Sequence, residues 1–232
     1  MNTLLITPLV DEFNPLLEAF KAMGYMSTSR PVGKLQMHEI EELNLILAQG
    51  GHGKTQFGIQ TQHLLDLLQN IALVICAGAA GGIAQYTNIG DLVVATFTIE
   101  HDYNLKFAKR PLPSFPGSPL HIARIQSFIP MLTTGYQIHF GPIASGDEDV
   151  IDRLRAEELH NLTNAIAVAW EGAGGARASR FMGTHYLEIR GLTDVADSDA
   201  PIVFDENLKL IMPRIATLVA SLQKEDIHKS AT

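Results

Sequence analysis

The run Ala165-Ile166-Ala167-Val168-Ala169-Trp170-Glu171-Gly172-Ala173-Gly174-Gly175-Ala176-Arg177 is followed, after a short turn, by Tyr186-Leu187-Glu188-Ile189-Arg190-Gly191-Leu192-Thr193-Asp194-Val195-Ala196-Asp197. The first is an apolar strand handing over to a helix of small residues, with Glu171 at the seam. The second reads as a buried parallel strand with Asp194 at its carboxyl end, where open α/β sheets place their ligand crevices. Small residues around Glu171 let other elements approach closely, so its carboxylate is expected partly out of water, a costly position without a partner. Two readings of these acids stay open: groups of a functional cleft, or structural acids that cap helices or pair with Arg190 and Arg177.

The same alternation runs outward from this centre. Leu4-Leu5-Ile6 is a short strand closed by Thr7-Pro8, and Phe13, Leu16, Leu17 and Phe20 then recur at helical spacing. Glu12 stands at that helix start, where a carboxylate is electrostatically favoured. Leu43-Asn44-Leu45-Ile46-Leu47-Ala48 is a second strand, entering Gln49-Gly50-Gly51-His52-Gly53-Lys54-Thr55. That turn lacks the first glycine of a phosphate loop, because Ala48 stands there. It is read as a tight strand-to-helix turn whose amides could still meet an anion. Ile71 to Ala77 is a third strand, running into the turn Gly78-Ala79-Ala80-Gly81-Gly82-Ile83, so poor in side chains that a ligand can lie against its backbone.

Further strands are expected at Leu92 to Phe97, Gln137 to Ala144, Ala165 to Ala169 and Tyr186 to Leu192. Residues 104–120, with Pro111, Pro113, Pro116 and Pro119, read as an irregular excursion. A final amphipathic helix from Phe204 to Leu222 carries Pro213, which is expected to kink it. Strands alternating with helices imply a mainly parallel sheet sandwiched by helices.

The 232 residues suit one α/β domain spanning the whole chain, with a loose polar tail over about 224–232. A net charge of -8 argues against a nucleic-acid partner. The single cysteine, Cys76, rules out an intrachain disulfide framework and lies in an apolar run as a buried, inert thiol. No signal peptide pattern opens the chain, and no apolar run approaches the roughly 20 residues of a membrane span. A soluble, cytoplasmic protein is expected. The histidines have no ligand spacing, so neither a metal nor another cofactor is expected.

Glu12 in Pro8-Leu9-Val10-Asp11-Glu12, then Gly78-Ala79-Ala80-Gly81-Gly82, Asn88-Ile89-Gly90-Asp91-Leu92-Val93-Val94 and Ser145-Gly146-Asp147 occur in that order. Trp170-Glu171-Gly172-Ala173, Thr193-Asp194-Val195-Ala196-Asp197 and Phe204-Asp205-Glu206 follow. Together they resemble the nucleoside phosphorylase superfamily over nearly the whole chain, most of all its 5'-methylthioadenosine/S-adenosylhomocysteine nucleosidase branch. The resemblance implies a three-layer α/β/α fold with a mixed, partly barrel-like central sheet. It also implies a homodimer, a small-molecule purine nucleoside as partner, and cleavage of the bond between the purine and the anomeric carbon of ribose.

The resemblance assigns roles as well. Asp194 would be the general acid that protonates N7 of the leaving purine once burial raises its pKa. Glu171 would hold the ribose 2' and 3' hydroxyls and help stabilise oxocarbenium charge, while Glu12 would orient and deprotonate water. Ala79, Ala80 and Gly81 would pass backbone along sugar and base, and Asp149 and Val150 match the segment that reads the adenine edge. Trp170 replaces a family methionine beneath the ribose, Thr193 joins the substrate-binding set, and Phe204 matches an aromatic on the base. Phe107 and Pro116 would reach a neighbouring subunit's 5' pocket.

Three departures alter the pocket walls: a family serine is Ala79, a base-stacking phenylalanine is Asp149, and the acid two residues before Glu171 is Ala169. The Trp-Glu-Gly and Leu-Glu-Ile-Arg runs are also similar to futalosine hydrolases, where asparagine is expected in place of Asp194. Related phosphorylases carry an arginine and a serine for phosphate where this chain has Cys76 and Ala79, which favours water as nucleophile. A purine nucleoside phosphorylase, a futalosine hydrolase-like enzyme and a non-catalytic nucleoside binder are the alternatives.

Overall fold

The computed structural model describes residues 1–131 and 135–230. The chain runs through β1 (Asn2–Thr7), α1 (Val10–Ala22), β2 (Thr28–Val32), β3 (Leu35–Ile40), β4 (Leu45–Gln49), α2 (Lys54–Leu67), β5 (Ile71–Gly82) and β6 (Leu92–Glu100). It continues through β7 (Ser114–Pro116), α3 (Pro119–Phe128), β8 (Ile138–Ser145), α4 (Arg153–Thr163), β9 (Ala167–Ala169), α5 (Gly172–Met182), β10 (His185–Asp194) and α6 (Ala200–Ser230).

β5 organises the sheet. Its 12 residues pair with β1 on one side and β10 on the other, and its last two, Gly81 and Gly82, pair with β9. β10 pairs with β6, β6 with β8, and β8 with β9, so these strands close into a ring. From β5 the strands β1, β4, β3 and β2 extend as an open wing. The sheet is therefore mixed and partly barrel-like. The expectation of a mainly parallel sheet is corrected: β10 and β6, β5 and β9, β6 and β7, and the β2, β3, β4 meander all run antiparallel. Apolar alternation fixes which face a residue takes and is silent on the direction of the neighbouring strand.

Three local expectations also change. Gly78 to Gly82 is strand rather than turn, because its backbone continues the ladders to β10 and β9. The excursion over 104–120 contains β7, which pairs with β6, and the first two residues of α3. The polar end is helical: α6 continues through Ser230 with Pro213 inside it, and Asp226 pairs with Arg124 of α3. Ala231 and Thr232 lie outside the described residues. No helix among the described residues is long and apolar enough to cross a membrane.

The two faces of the sheet carry different cores. Leu5, Ile75, Ala77, Leu187 and Ile189 pack with the apolar sides of α1, α3 and α6. The intervening Leu4, Ile6, Val74, Cys76 and Tyr186 pack with α2 and α5. Helices thus cover both faces, giving three layers, and each fully buried aliphatic side chain stabilises by roughly 1.5–3 kcal/mol.

Ile211 of α6 is fully buried against β10 at Gly191. Ile211→Ala is expected to lower the unfolding free energy in urea by about 3 kcal/mol, the transfer loss plus the cavity left behind. A loss below about 1 kcal/mol would show that α6 does not clamp β10.

Candidate active site

The carboxyl ends of β1, β5, β8, β9 and β10 surround a cavity of about 360 Å³. Each strand delivers its contribution where its ladder stops and its backbone is free to turn. Glu12, Glu171 and Asp194 all line this cavity. So do Ala79, Ala80 and Gly81 from β5, Asp149 and Val150 beyond β8, Trp170 beyond β9, Thr193 of β10 and Phe204 of α6. Phe107 and Pro116 do not: both are exposed elsewhere on the chain.

Glu12 sits in the first turn of α1 and is 2% exposed. One carboxylate oxygen accepts the Leu9 amide N–H at 2.9 Å, and the other accepts the Ala79 N–H at 2.7 Å. The carboxylate lies directly on Gly78, where a Cβ would come within 2.5 Å of it, so β5 needs glycine there. Burial, reinforced by the negative charge of Glu171, pushes the Glu12 carboxyl up to about 7. Arg190 and the two amides pull in the opposite direction and do not offset it.

Glu171, 4% exposed, precedes α5. Its carboxylate takes the Gly53 N–H at 3.2 Å, stands 3.3 Å from Nδ1 of His52, and pairs with Arg190 at 3.3 Å. The amides at the start of α2, which the sequence offers to an anion, are thus occupied by the protein's own acids, since the Lys54 N–H goes to Asp147 at 2.8 Å. His52 stacks on Trp170 with ring centroids 4.2 Å apart, and both line the cavity.

Arg190, which the sequence offers only as an ion-pair partner for the acids, does pair with Glu171 and joins the candidate functional residues. It is 1% exposed, lines the cavity and lies between Glu188, the Ala79 carbonyl, Glu171 and the Cys76 sulfur. Cys76, which stands where related phosphorylases carry an arginine, has the Arg190 guanidinium of β10 3.3 Å from its Sγ. Arg177, the other proposed partner for the acids, pairs with Glu100 instead. The signal for Arg190 was a charge two residues after Glu188 in an otherwise apolar strand, which places both on one face.

Asp194 ends β10. One oxygen accepts the Ala196 N–H at 2.9 Å and the other the Thr193 hydroxyl at 2.8 Å. Burial raises its carboxyl above the ordinary aspartate range, against the lowering effect of both hydrogen bonds. Gly81 makes room here as Gly78 does for Glu12, since a Cβ on it would come within 2.8 Å of the Asp194 carboxylate. One cavity therefore holds a raised acid at each of two positions, a buried carboxylate and guanidinium between strands, and an aromatic wall.

The family model of the Phosphorylase superfamily matches residues 3–224. Over 197 residues the chain is 30% identical to the 5'-methylthioadenosine/S-adenosylhomocysteine nucleosidase of Bacillus subtilis, covering 82% of this chain and 84% of that one. It is 29% identical to the aminodeoxyfutalosine nucleosidase of Helicobacter pylori, covering 93% of this chain and 95% of that one. Among solved structures, the 5'-methylthioadenosine/S-adenosylhomocysteine nucleosidase of Helicobacter pylori, complexed with a pyrrolopyrimidine-bearing pyrrolidine, superposes with a TM-score of 0.87 at 27% identity. That likeness covers 97% of this chain and 98% of the other.

The raised carboxyl of Glu12 has a consequence for stability. Between the ordinary value of 4.5 and about 7 the folded protein keeps a proton that the unfolded chain releases. The contribution of Glu12 to stability therefore declines as pH rises through that window, by on the order of 3 kcal/mol in total. Measured by urea unfolding, the stability of Glu12→Gln relative to wild type is expected to rise from pH 5 to pH 8. A difference independent of pH would contradict the raised value.

Proposed function

The chain belongs to the phosphorylase superfamily, and from that premise we propose that it is a nucleosidase hydrolysing the N-glycosidic bond of an adenine nucleoside such as 5'-methylthioadenosine or S-adenosylhomocysteine. The observation that carries the reading is the convergence of Glu12, Glu171 and Asp194 on one cavity, with Glu12 and Asp194 both raised by burial. In the proposed reaction Asp194 gives a proton to N7 of the purine as the bond from C1' to N9 breaks and its electron pair moves into the base. Glu171 binds the ribose 2' and 3' hydroxyls and opposes the positive charge growing on the sugar. Glu12 accepts a proton from the water that attacks C1', and adenine and the free sugar leave. His52 and Trp170 form the wall beside the sugar.

Water is favoured over phosphate as nucleophile because Glu12 and Glu171 are both carboxylates, which repel a phosphate dianion. The nearby amides of Gly53, Lys54 and Ala79 are already bound to carboxylates. A second reading, an aminodeoxyfutalosine-type substrate with the same leaving base, is supported by the Helicobacter pylori relative and by the altered wall at Trp170 and Asp149. A homodimer, in which Phe107 and Pro116 of a second copy border the 5' group, belongs to the proposal, as does a cytoplasmic location.

The test is base release from adenine and hypoxanthine nucleosides with different 5' groups, with and without phosphate. Free adenine and free sugar without phosphate are expected. Asp194→Asn and Glu12→Gln should each lose at least about 100-fold in kcat while staying folded. Turnover that requires phosphate would make the chain a phosphorylase, and an active Asp194→Asn would remove Asp194 as the acid.

A further inference from the structure

Three carboxylates, Glu12, Glu171 and Glu188, are buried around one cation, Arg190, and none of the four is more than 4% exposed. The reaction proposed above uses Glu12 and Glu171 and leaves Glu188 unexplained. Glu188 does not line the cavity. It lies behind Arg190 on the same face of β10, two residues away, and is 0% exposed. One oxygen accepts Nε–H of Arg190 at 2.9 Å, and the other accepts the Thr98 hydroxyl of β6. The carboxylate also rests against Gly172, the first residue of α5, where a Cβ would come within 2.2 Å of it. A helix N-terminus favours a negative charge at that place. Burying an acid this deeply in a strand is costly unless it serves a partner.

Its partner is held in one orientation. With Nε fixed on Glu188, the other two guanidinium nitrogens of Arg190 face the Ala79 carbonyl at 3.2 Å, and Glu171 and the Cys76 sulfur at 3.3 Å each. Among the described residues no ion pair joins Arg190 to Glu12, although both lie within 3.0 Å of where a Cβ on Gly78 would stand.

We propose that Glu188 is a positioning residue: as the fixed counter-ion of Arg190 it takes up the charge of the guanidinium and holds it off Glu12, leaving Glu12 able to accept the proton of the attacking water. This rests on the reading of Glu12 as the base. The groups facing Glu12 are Glu171 before α5, Arg190 on β10 with Glu188 behind it, and Cys76 on β5. His52 stands beside Glu171, and Asp194 lies elsewhere along the cavity wall. Of these, Arg190 is the group whose charge opposes proton uptake by Glu12, so removing its counter-ion weakens the base.

Glu188→Gln tests this, because the glutamine carbonyl can still accept Nε–H of Arg190 while the negative charge is gone. The acid limb of kcat/KM against pH is expected to move down by roughly one pH unit, with a lower plateau kcat. Glu188→Asp, which keeps the charge, should hold the limb near its wild-type position. A carbon-13 titration of the Glu12 carboxyl, assigned with Glu12→Gln, reads the same shift without turnover. If the wild type cleaves no nucleoside, the proposed function fails while this titration still decides the role of Glu188. If turnover is present and the Glu12 midpoint in Glu188→Gln coincides with the wild type, the positioning role is overturned and the function stands. Should Glu188→Gln not fold, Thr98→Val removes only the hydroxyl that holds the second oxygen of Glu188. It is then expected to lower kcat several-fold at unchanged KM, and a wild-type kcat would overturn the proposal.

Discussion

One buried guanidinium faces three buried carboxylates, and that imbalance of charge governs the centre of this protein. Isolated charges at such depth would each carry a penalty of several kcal/mol, so every group in the set must be matched by an opposite charge, a hydrogen bond or a proton. Glu188 has Arg190 and the Thr98 hydroxyl, and Glu171 has Arg190 and the Gly53 amide. Glu12 has two amide hydrogen bonds and, without an ion pair among the described residues, the field of Arg190, and it is the member driven to hold a proton up to about neutral pH.

The fold exists in a form that can hold this set. β5 is long enough to pair with β1, β10 and β9 along its length, which closes the ring and brings Glu12, Glu171 and Arg190 to one place from three distant parts of the chain. α6 covers the other face of β10 with a largely apolar stripe that includes Leu208, Ile211 and Ile215, so the charged side chains Glu188 and Arg190 lie on the opposite face. Gly78 and Gly81 then let Glu12 and Asp194 lie on the strand backbone itself. Stability and chemistry are opposed here, since the burial that raises the carboxyl of Glu12 is the same burial that makes its ionised form costly.

Much of this was legible in the sequence. Each of the three acids follows an apolar run, and a strand end is where an α/β sheet leaves room for a ligand. The order of the motifs carried the family and, through it, the mixed barrel. What escaped has physical reasons. β2 exposes residues on both faces, as an edge strand does, and so has no apolar alternation to detect. Gly78 to Gly82 looked like a turn because glycine weakens strands, whereas here packed carboxylates take the space a side chain would fill. Arg190 was legible as a partner for the acids and does pair with Glu171, but Glu188 was absorbed into an apolar run although its spacing of two from Arg190 puts both on one face. The amides before α2 looked available to an anion because sequence cannot show that Glu171 and Asp147, distant along the chain, already occupy them.

By the proposed reaction this centre delivers water to the anomeric carbon of an adenine nucleoside. The most direct measurement is a single turnover of 5'-methylthioadenosine in 18O-labelled water containing inorganic phosphate, with borohydride present so that the sugar is reduced before its anomeric oxygen can exchange. Free adenine and one labelled oxygen on the former C1' are expected. An unlabelled sugar phosphate, or no adenine at all, would contradict that reaction.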